Sequence, residues 1–362
     1  MRVLVLLTDA FGARGGIALY NRDFLTALTE MPEISEVIAV PRVVTDILGE
    51  MPGKLRYIDS AASGKFTYIK TIMACLVKYK GIRLVVCGHI NLLPLAYIVS
   101  KIIGVPVLLE IYGIDAWKPS QNKITNRLIR KVDYCISISD ITRKRFASWA
   151  GLDEKKILLL PNAIHADLYG LFEKNGELVN KYNLTNKKVI MTLGRMSSQE
   201  RYKGFDEIID LLPRLLSKEP SLVYLAVGDG DDRKRLIDKV SKLGLQKNVI
   251  FPGYINEEEK PDYFRLADVF VMPSYGEGFG FVFLEALACG TPVIASKTDG
   301  GREAVLDGEL GTIVDPYNPQ SIIDAIFKNL GQKKEIPSRL TYFSYVNFQK
   351  RVRNIIVELC NS

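Results

Sequence analysis

The feature that most constrains this chain is a rhythm. Short apolar runs alternate with amphipathic stretches: VLVLL at 3–7 before a helical pattern at 17–29, VIAV at 37–40, LVVC at 84–87 before 92–103, VPVLLEI at 105–111, YCISIS at 134–139 before 141–149, and KILLLP at 156–161. Parallel strands buried on both faces and joined by helices read this way, so the rhythm predicts a parallel sheet with crossover helices. A polar stretch at 172–188, containing NGE and NLTNKK, interrupts it and reads as a linker. The alternation then resumes with KVIMTLG at 188–194, a helix at 205–216, LVYLAVG at 222–228, a helix at 233–243, VIFPG at 249–253, a helix around 260–266, VFVMP at 269–273, a further helical stretch, and PVIAS at 292–296. Two successive doubly wound α/β units are the economical reading, and 362 residues allow each to bury its own core.

Other classes fall away. The tract at 84–114 is apolar enough to suggest a membrane span, but His89, Asn91, Pro94, Lys101, Gly104, Pro106 and Glu110 interrupt it, so it parses as strand, helix, strand. The opening MRVLVLLTDAFG turns acidic at Asp9 where a signal peptide would continue, and reads as a first strand. Five scattered cysteines, Cys75, Cys87, Cys135, Cys289 and Cys360, show no C-x-x-C spacing and read as reduced residues of a cytosolic protein. The net charge of +7 is uneven: residues 1–175 carry 23 Lys/Arg against 16 Asp/Glu, whereas the remainder carries 25 of each. A solvated surface explains this, and an anionic membrane, a phosphorylated acceptor or nucleic acid would also suit it. The stretch KFTYIKTIMACLVKYK at 65–80 leaves two readings open, a helix lying on anionic lipid or a core-facing helix with lysines on its wet side.

In open parallel sheets ligands bind beyond the carboxyl ends of the strands, so the loops after strands are where chemistry is sought. After the first strand, FGARGGIALYN offers Gly12, Gly15 and Gly16 before a helix, a turn that lets backbone approach an anion. It is not G-x-G-x-x-G and no acidic residue ends VIAV, so a nicotinamide dinucleotide site is disfavoured. After strand 188–194, GRMSSQERYKGFD presents Arg195, Arg201 and Lys203, cations able to neutralise a diphosphate or simply to coat a loop. In VGDGDDRKRL, Asp229-Gly230-Asp231 matches a D-x-D metal motif but reads better as a helix-capping turn. His89 stands just past a strand, and a second histidine, His165, lies in LPNAIHAD.

The stretch SYGEGFGFVFLEALACGTPVIAS at 274–296 holds Glu277 and Glu285. On one continuous helix they would stand about 12 Å apart along the axis, whereas a glycosidase carboxylate pair needs about 5–9.5 Å. A loop position for Glu277 and a helical one for Glu285 fits better, with the Gly-Phe-Gly turn presenting N–H groups between them.

Taken together, EGFGFVFLEALACGTPVIAS, the following DGGREAVLDGELGTIVDP, GR…YKG and the G-x-G of VGDGD resemble the retaining glycosyltransferases of family 4, with the E-x7-E motif, over nearly the whole chain. The resemblance implies the α/β GT-B fold, two Rossmann-like doubly wound parallel-sheet domains facing across a cleft. It implies an acceptor-binding domain at 1–171, a linker at 172–187, a nucleotide-sugar-binding domain at 188–340, and a C-terminal helix at 341–362 returning to the first domain. Arg195 and Lys203 would then hold the donor diphosphate, and Glu277 the hydroxyls of the transferred sugar. Phe279, Gly280, Phe281 and Val282 would give backbone contacts to sugar and phosphate, and Glu285 would bind ribose. Tyr254 and Ile255 would lie at the base, with Gly228 and Gly230 in the donor-side turn; Gly15 and Gly16 would approach phosphate and acceptor, and His89 the sugar. By the same resemblance the donor would be a nucleotide-diphosphate sugar, UDP ahead of GDP-mannose, used as a co-substrate with no other cofactor and no metal expected. The acceptor would be a polysaccharide precursor or lipid-linked sugar, with no nucleic acid as partner, and the setting the cytoplasm or the inner face of the membrane.

Two positions depart from the family pattern, Tyr112-Gly113 where His-Gly is common, and His165 where Asp is common. Competing readings are a sugar-nucleotide epimerase of the same fold, which would need no acceptor, and a catalytically silent binding subunit.

Overall fold

The computed structural model describes residues 1–361, with side chains described through Leu359, so Cys360 lies outside the described side chains. The chain divides into two units, one formed by residues 1–163 together with 345 onward, the other by 164–344.

The first unit runs β1 (Arg2–Leu7), α1 (Gly16–Glu30), β2 (Glu36–Pro41), β3 (Leu55–Tyr57), α2 (Lys65–Lys78), β4 (Ile82–Gly88), α3 (Leu93–Ile103), β5 (Val107–Ile111), α4 (Lys123–Ile129), β6 (Tyr134–Ser137), α5 (Asp140–Ala150) and β7 (Ile157–Leu159). Its seven strands lie in the order β3-β2-β1-β4-β5-β6-β7, with Leu4 of β1 opposite both Ile38 and Val85 in parallel register. Val3 through Leu7 are all buried, because helices cover both faces of the sheet, and for that reason VLVLL shows no alternation. The tract at 84–114 resolves into β4, α3 and β5 and the turn after them. Helix ends follow local chemistry. Ser139 caps α5 by accepting from the Thr142 N–H, and Gly104 and Gly151 close α3 and α5 in the left-handed region that glycine reaches without strain.

The second unit runs α6 (Gly176–Lys181), β8 (Lys188–Leu193), α7 (Phe205–Leu216), β9 (Leu222–Val227), α8 (Arg233–Lys242), β10 (Val249–Gly253), α9 (Lys260–Leu266), β11 (Val269–Met272), α10 (Phe281–Ala288), β12 (Val293–Ser296), α11 (Gly301–Ala304), β13 (Thr312–Val314) and α12 (Pro319–Asn329). The strand order is β10-β9-β8-β11-β12-β13, with Ile190 of β8 opposite Tyr224 and Val269. The chain then rejoins the first unit as α13 (Tyr345–Asn361), which lies on α1: Phe348 meets the Tyr20 ring edge-on at 5.8 Å, and Tyr345 bonds Glu30 at 3.1 Å.

Residues 172–187, expected as a linker, belong to the second unit, and the division falls at 163/164 rather than after 171. The segment is polar because its polar groups are used. Lys174 pairs with Asp268 at 2.9 Å, Asn175 caps α6 and donates to Asp262 at 2.8 Å, and the hydroxyls of Tyr182 and Tyr263 meet at 2.9 Å. Edge strands β3 and β13, three residues each, have no counterpart in the apolar rhythm.

Candidate functional site

Both sheets change direction at their middle. In the second unit the chain leaves β8 toward β9 on one side and leaves β11 toward β12 on the other, so the loops after these two neighbours part and leave a crevice at their carboxyl ends. The first loop, 194–204, carries Arg195 and Lys203; the second, 273–280, carries Glu277. A backbone bond from the Tyr275 N–H to the Tyr202 carbonyl, 3.0 Å, ties them together.

The side chains meet as a row of alternating charge. Lys203 Nζ donates to Glu277 Oε2 at 3.0 Å and stands 3.9 Å from Glu200, which also accepts from Arg195. Lys203 is only 15% exposed, whereas Arg195 is 70% exposed. Burial alone would lower the Lys203 pKa, but Glu277, Tyr202 and Glu200 outweigh it and hold the pKa above its ordinary value, so the ammonium stays charged. A buried lysine that stays charged beyond the end of a central strand is paired here with the chain's own carboxylates.

Glu277 is aimed by a residue that the sequence reading gave no role. The buried Asp299 carboxylate accepts from the Glu277 N–H at 2.9 Å, the Ser274 hydroxyl at 2.7 Å and the Gly301 N–H at 3.1 Å. Burial pushes the Asp299 pKa up to about 7 against the pull of these donors. The Gly300 N–H closes the strap by donating to the Glu277 carbonyl at 2.8 Å, and a Cβ on Gly300 would lie 2.0 Å from the Gly278 carbonyl oxygen. Only glycine fits there. Past Gly280, which has φ 91°, α10 begins with no side-chain cap and no acidic residue in its first turn, so its leading N–H groups, those of Phe281 and Val282, face the crevice end of the helix.

Glu285, in the second turn of α10, does not join Glu277. It is 1% exposed, with Oε1 accepting from the Tyr169 hydroxyl at 3.1 Å and from Lys260 Nζ at 3.2 Å, while Oε2 is buried with no partner among the described residues. Burial raises its pKa despite Lys260. The two glutamates are therefore two separate lysine–carboxylate pairs, and Lys260 and Tyr169 are partners that no local motif announces. An unsatisfied buried carboxylate oxygen costs on the order of 1–3 kcal/mol or more, a cost that a ligand hydroxyl would remove.

Other expected residues occupy definite places. Gly228 and Gly230 serve backbone-to-backbone contact: a Cβ on Gly228 would lie 1.9 Å from the Gly194 carbonyl oxygen, and one on Gly230 2.2 Å from that of Met196. Asp231 does not cap α8; it accepts from the Ser198 N–H at 3.0 Å and from the Ser198 hydroxyl, and so holds the 194–204 loop. Arg201 pairs with Asp232 at 2.9 Å, away from the Lys203 row. The Phe279 ring is buried edge-on against Phe343 at 5.5 Å, which leaves only its backbone for a ligand. Tyr254 is half exposed and Ile255 buried just beyond β10.

In the first unit the equivalent point lies between β1 and β4. Gly15, with φ 102°, starts α1, and Gly16 follows; both are exposed, and neither a side-chain cap nor an acidic residue occupies the first turn. His89 follows β4, and its Nδ1 accepts the Asn91 N–H at 3.1 Å. Burial lowers its pKa, so the ring is neutral with its proton on Nε2. Behind them the Tyr112 hydroxyl stands within 3.1 Å of three acceptors: Asn21 Oδ1, the Gly88 carbonyl and Glu110 Oε2. One hydroxyl proton cannot serve three acceptors. A proton on Glu110, whose pKa burial pushes up to about 7, relieves the conflict. The departure from the His-Gly pattern is thus a tyrosine anchored within the unit.

Residues 175–345 match the model for glycosyl transferases group 1. The chain is 33% identical over 216 residues to the GDP-mannose-dependent alpha-(1-6)-phosphatidylinositol monomannoside mannosyltransferase of Mycolicibacterium smegmatis, a match covering 58% of this chain and only 56% of that relative's length. The protein of the same description from Mycobacterium tuberculosis is 27% identical over 350 residues, covering 90% of this chain and 88% of the relative. Among solved structures, Anabaena HepE in complex with UDP superposes with a TM-score of 0.77 at 19% identity, over 99% of this chain and 100% of that one. Two sheets of the same strand order and these matches agree: the chain has the GT-B fold, and its second unit carries the match to the glycosyl transferases group 1 model.

Proposed function

We propose that the protein transfers a hexosyl group from a nucleotide-diphosphate sugar to a polysaccharide-precursor or lipid-linked sugar acceptor, with retention of anomeric configuration and without a metal. The observation that carries this reading is the Lys203–Glu277 pair at the switch point of the second sheet, 3.0 Å apart, with Arg195 beside it. A diphosphate entering the crevice would take Lys203 and Arg195 as counter-cations and the leading N–H groups of α10 as donors. As the glycosidic bond breaks, negative charge builds on the leaving phosphate oxygen, and cations already in place stabilise it without reorganising. Glu277, released from Lys203, would accept from the sugar's hydroxyls.

Retention is supported by what the carboxylates near the crevice are doing. Glu277 and Glu200 are engaged with cations, Asp299 holds the loop backbone, and Asp231 is taken by Ser198. A same-face attack, with the leaving phosphate accepting the acceptor's proton, asks for no protein nucleophile. Glu285 would hold the ribose through its unpartnered Oε2.

The relatives named for GDP-mannose shift the donor preference: GDP-mannose comes first and a UDP-sugar second. In the same reading His89 and Gly15-Gly16 serve the sugar and acceptor side, and the enzyme works in the cytoplasm at the inner face of a membrane. A thermal-shift panel of GDP-mannose, UDP-glucose and ADP-glucose tests the donor, repeated on Glu285→Ala and Glu285→Gln. GDP-mannose should give the largest shift, and both variants should lose most of it relative to their own unliganded melting point; an undiminished shift sinks the ribose role. Isomerised nucleotide sugar released without an acceptor would instead identify an epimerase.

A further inference from the structure

The helix α2 buries one face and leaves a second apolar face uncovered. Tyr68, Ile72 and Cys75 enter the core of the first unit. Phe66, Ile69, Met73 and Val77, spaced three and four residues apart and so on one side of the helix, are all exposed, Phe66 at 90% and Val77 at 73%. A core-facing helix has no use for this second stripe. Helix α3 lies on the same face of the sheet, since Leu93, Ala96 and Val99 share that core, and it exposes Ile98 and Ile102 with Lys101 between them.

The charge along these two helices has one sign. From residue 60 to residue 109 there is no Asp or Glu, while Lys65, Lys70, Lys78, Lys80, Arg83 and Lys101 all fall within the span. The whole first unit carries 25 Lys/Arg against 15 Asp/Glu, whereas the second carries 23 against 26. Outward aliphatic and aromatic side chains interleaved with lysines, with no carboxylate among them, match the boundary of an anionic bilayer: the apolar groups enter the acyl edge and the ammonium groups stay among lipid phosphates. A second copy of the chain fits worse, because a two-fold contact through this face would set like charges against like. Nucleic acid would take the lysines and leave Phe66 and Val77 unused.

We propose that the α2–α3 face of the first unit is a docking surface for anionic phospholipid. It stands apart from the donor reading, since it uses none of the residues at either switch point.

The test is co-sedimentation of the full chain with phosphatidylcholine vesicles with and without phosphatidylglycerol, at low and high salt, for the wild type, Phe66→Ser/Val77→Ser and Lys70→Glu. The wild type should bind the phosphatidylglycerol vesicles and be released by salt. The double variant should bind on the order of 100-fold more weakly, and Lys70→Glu roughly tenfold more weakly at low salt. All three should show the same nucleotide-sugar thermal shift, which separates loss of lipid binding from loss of fold. Failure of the wild type to bind, equal binding to phosphatidylcholine alone, or undiminished binding by the double variant would overturn the proposal. So would a concentration-dependent dimer in light scattering that the double variant abolishes, which would assign the face to a second copy.

Discussion

The two units share a strand order and differ in what stands at the turning point. At the end of β8 and β11 the second unit sets Lys203 against Glu277, and Asp299 fixes the loop from below. At the end of β1 and β4 the first unit offers Gly15, Gly16 and the neutral His89, with the Tyr112–Glu110 cluster sealed behind them. Net charge runs the opposite way, because the first unit is the basic one and the second is slightly acidic. Bulk charge therefore does not mark the site proposed for the donor phosphates. The cations at that proposed site are two side chains at a topologically fixed point, one of them mostly buried.

The most severe way to break this contrast is Lys203→Met. It removes the buried cation and leaves Glu277 without its partner, so kcat/KM should fall about 10³-fold, close to 4 kcal/mol of transition-state stabilisation. Initial rates at fixed acceptor would measure it, and a loss under tenfold would mean that the phosphates sit elsewhere. Asp299→Asn should come next, with a loss of roughly 10–100-fold from a misaimed Glu277. Its pH profile is the sharper reading. The Asp299 carboxylate accepts from Glu277, Ser274 and Gly301 most strongly when ionised, a proton on it weakens that hold, and its pKa is pushed up to about 7. The wild-type rate should therefore decline as pH falls through about 7, and the asparagine variant should be flat across the same range. A variant that keeps the wild-type decline would remove Asp299 from the role.

How much of this could be read in the sequence depends on whether the signal was local. The strand and helix rhythm was legible because each buried strand is a continuous apolar run, and β3 and β13 escaped because LRY and TIV each include a polar residue among their three. Arg195, Lys203 and Glu277 drew notice because each lies in a loop that follows a strand. Tyr169 and Lys260 were not, since Tyr169 reaches Glu285 from 116 residues away and no periodicity records such a meeting. The glycines were half legible. That Gly228 permits a close approach was readable from its type and place, but the same residue type suits a phosphate or another backbone, and the space beside it is filled by the Gly194 carbonyl. The linker at 172–187 misled for a related reason: polarity looks the same whether water or Asp262 and Asp268 satisfies it.

The buried acid of the first unit gives a smaller, thermodynamic test. The folded-state pKa of Glu110 is raised from 4.5 to about 7, so the folded chain holds that proton more tightly than the unfolded one. The stability this contributes is fully present below about pH 4.5 and is lost as pH rises through about 7, on the order of 3 kcal/mol. Glu110→Gln should remove that slope. Both tryptophans, Trp117 and Trp149, lie in the first unit, so urea unfolding followed by their fluorescence reports on it directly. Asp115, whose pKa burial likewise pushes up to about 7, should keep its own part of the slope in the glutamine variant, and a slope undiminished from the wild type would remove Glu110 from the titration.

The smallest expected effect separates the roles proposed for the two units most cleanly. Gly15 holds φ 102° in open space, with nothing within 4 Å of where a Cβ would stand, so Gly15→Ala brings backbone strain and no clash. That strain is about 1 kcal/mol, enough to tilt the start of α1 without unfolding the unit. If the first unit serves the acceptor and the second the donor, the nucleotide-sugar thermal shift should be unchanged, while the acceptor KM rises roughly threefold to tenfold for a loss of that size. Equal losses in both would mean that the glycine turn contacts the donor. The division of labour between the units would then have to be redrawn with Gly15 on the phosphate side.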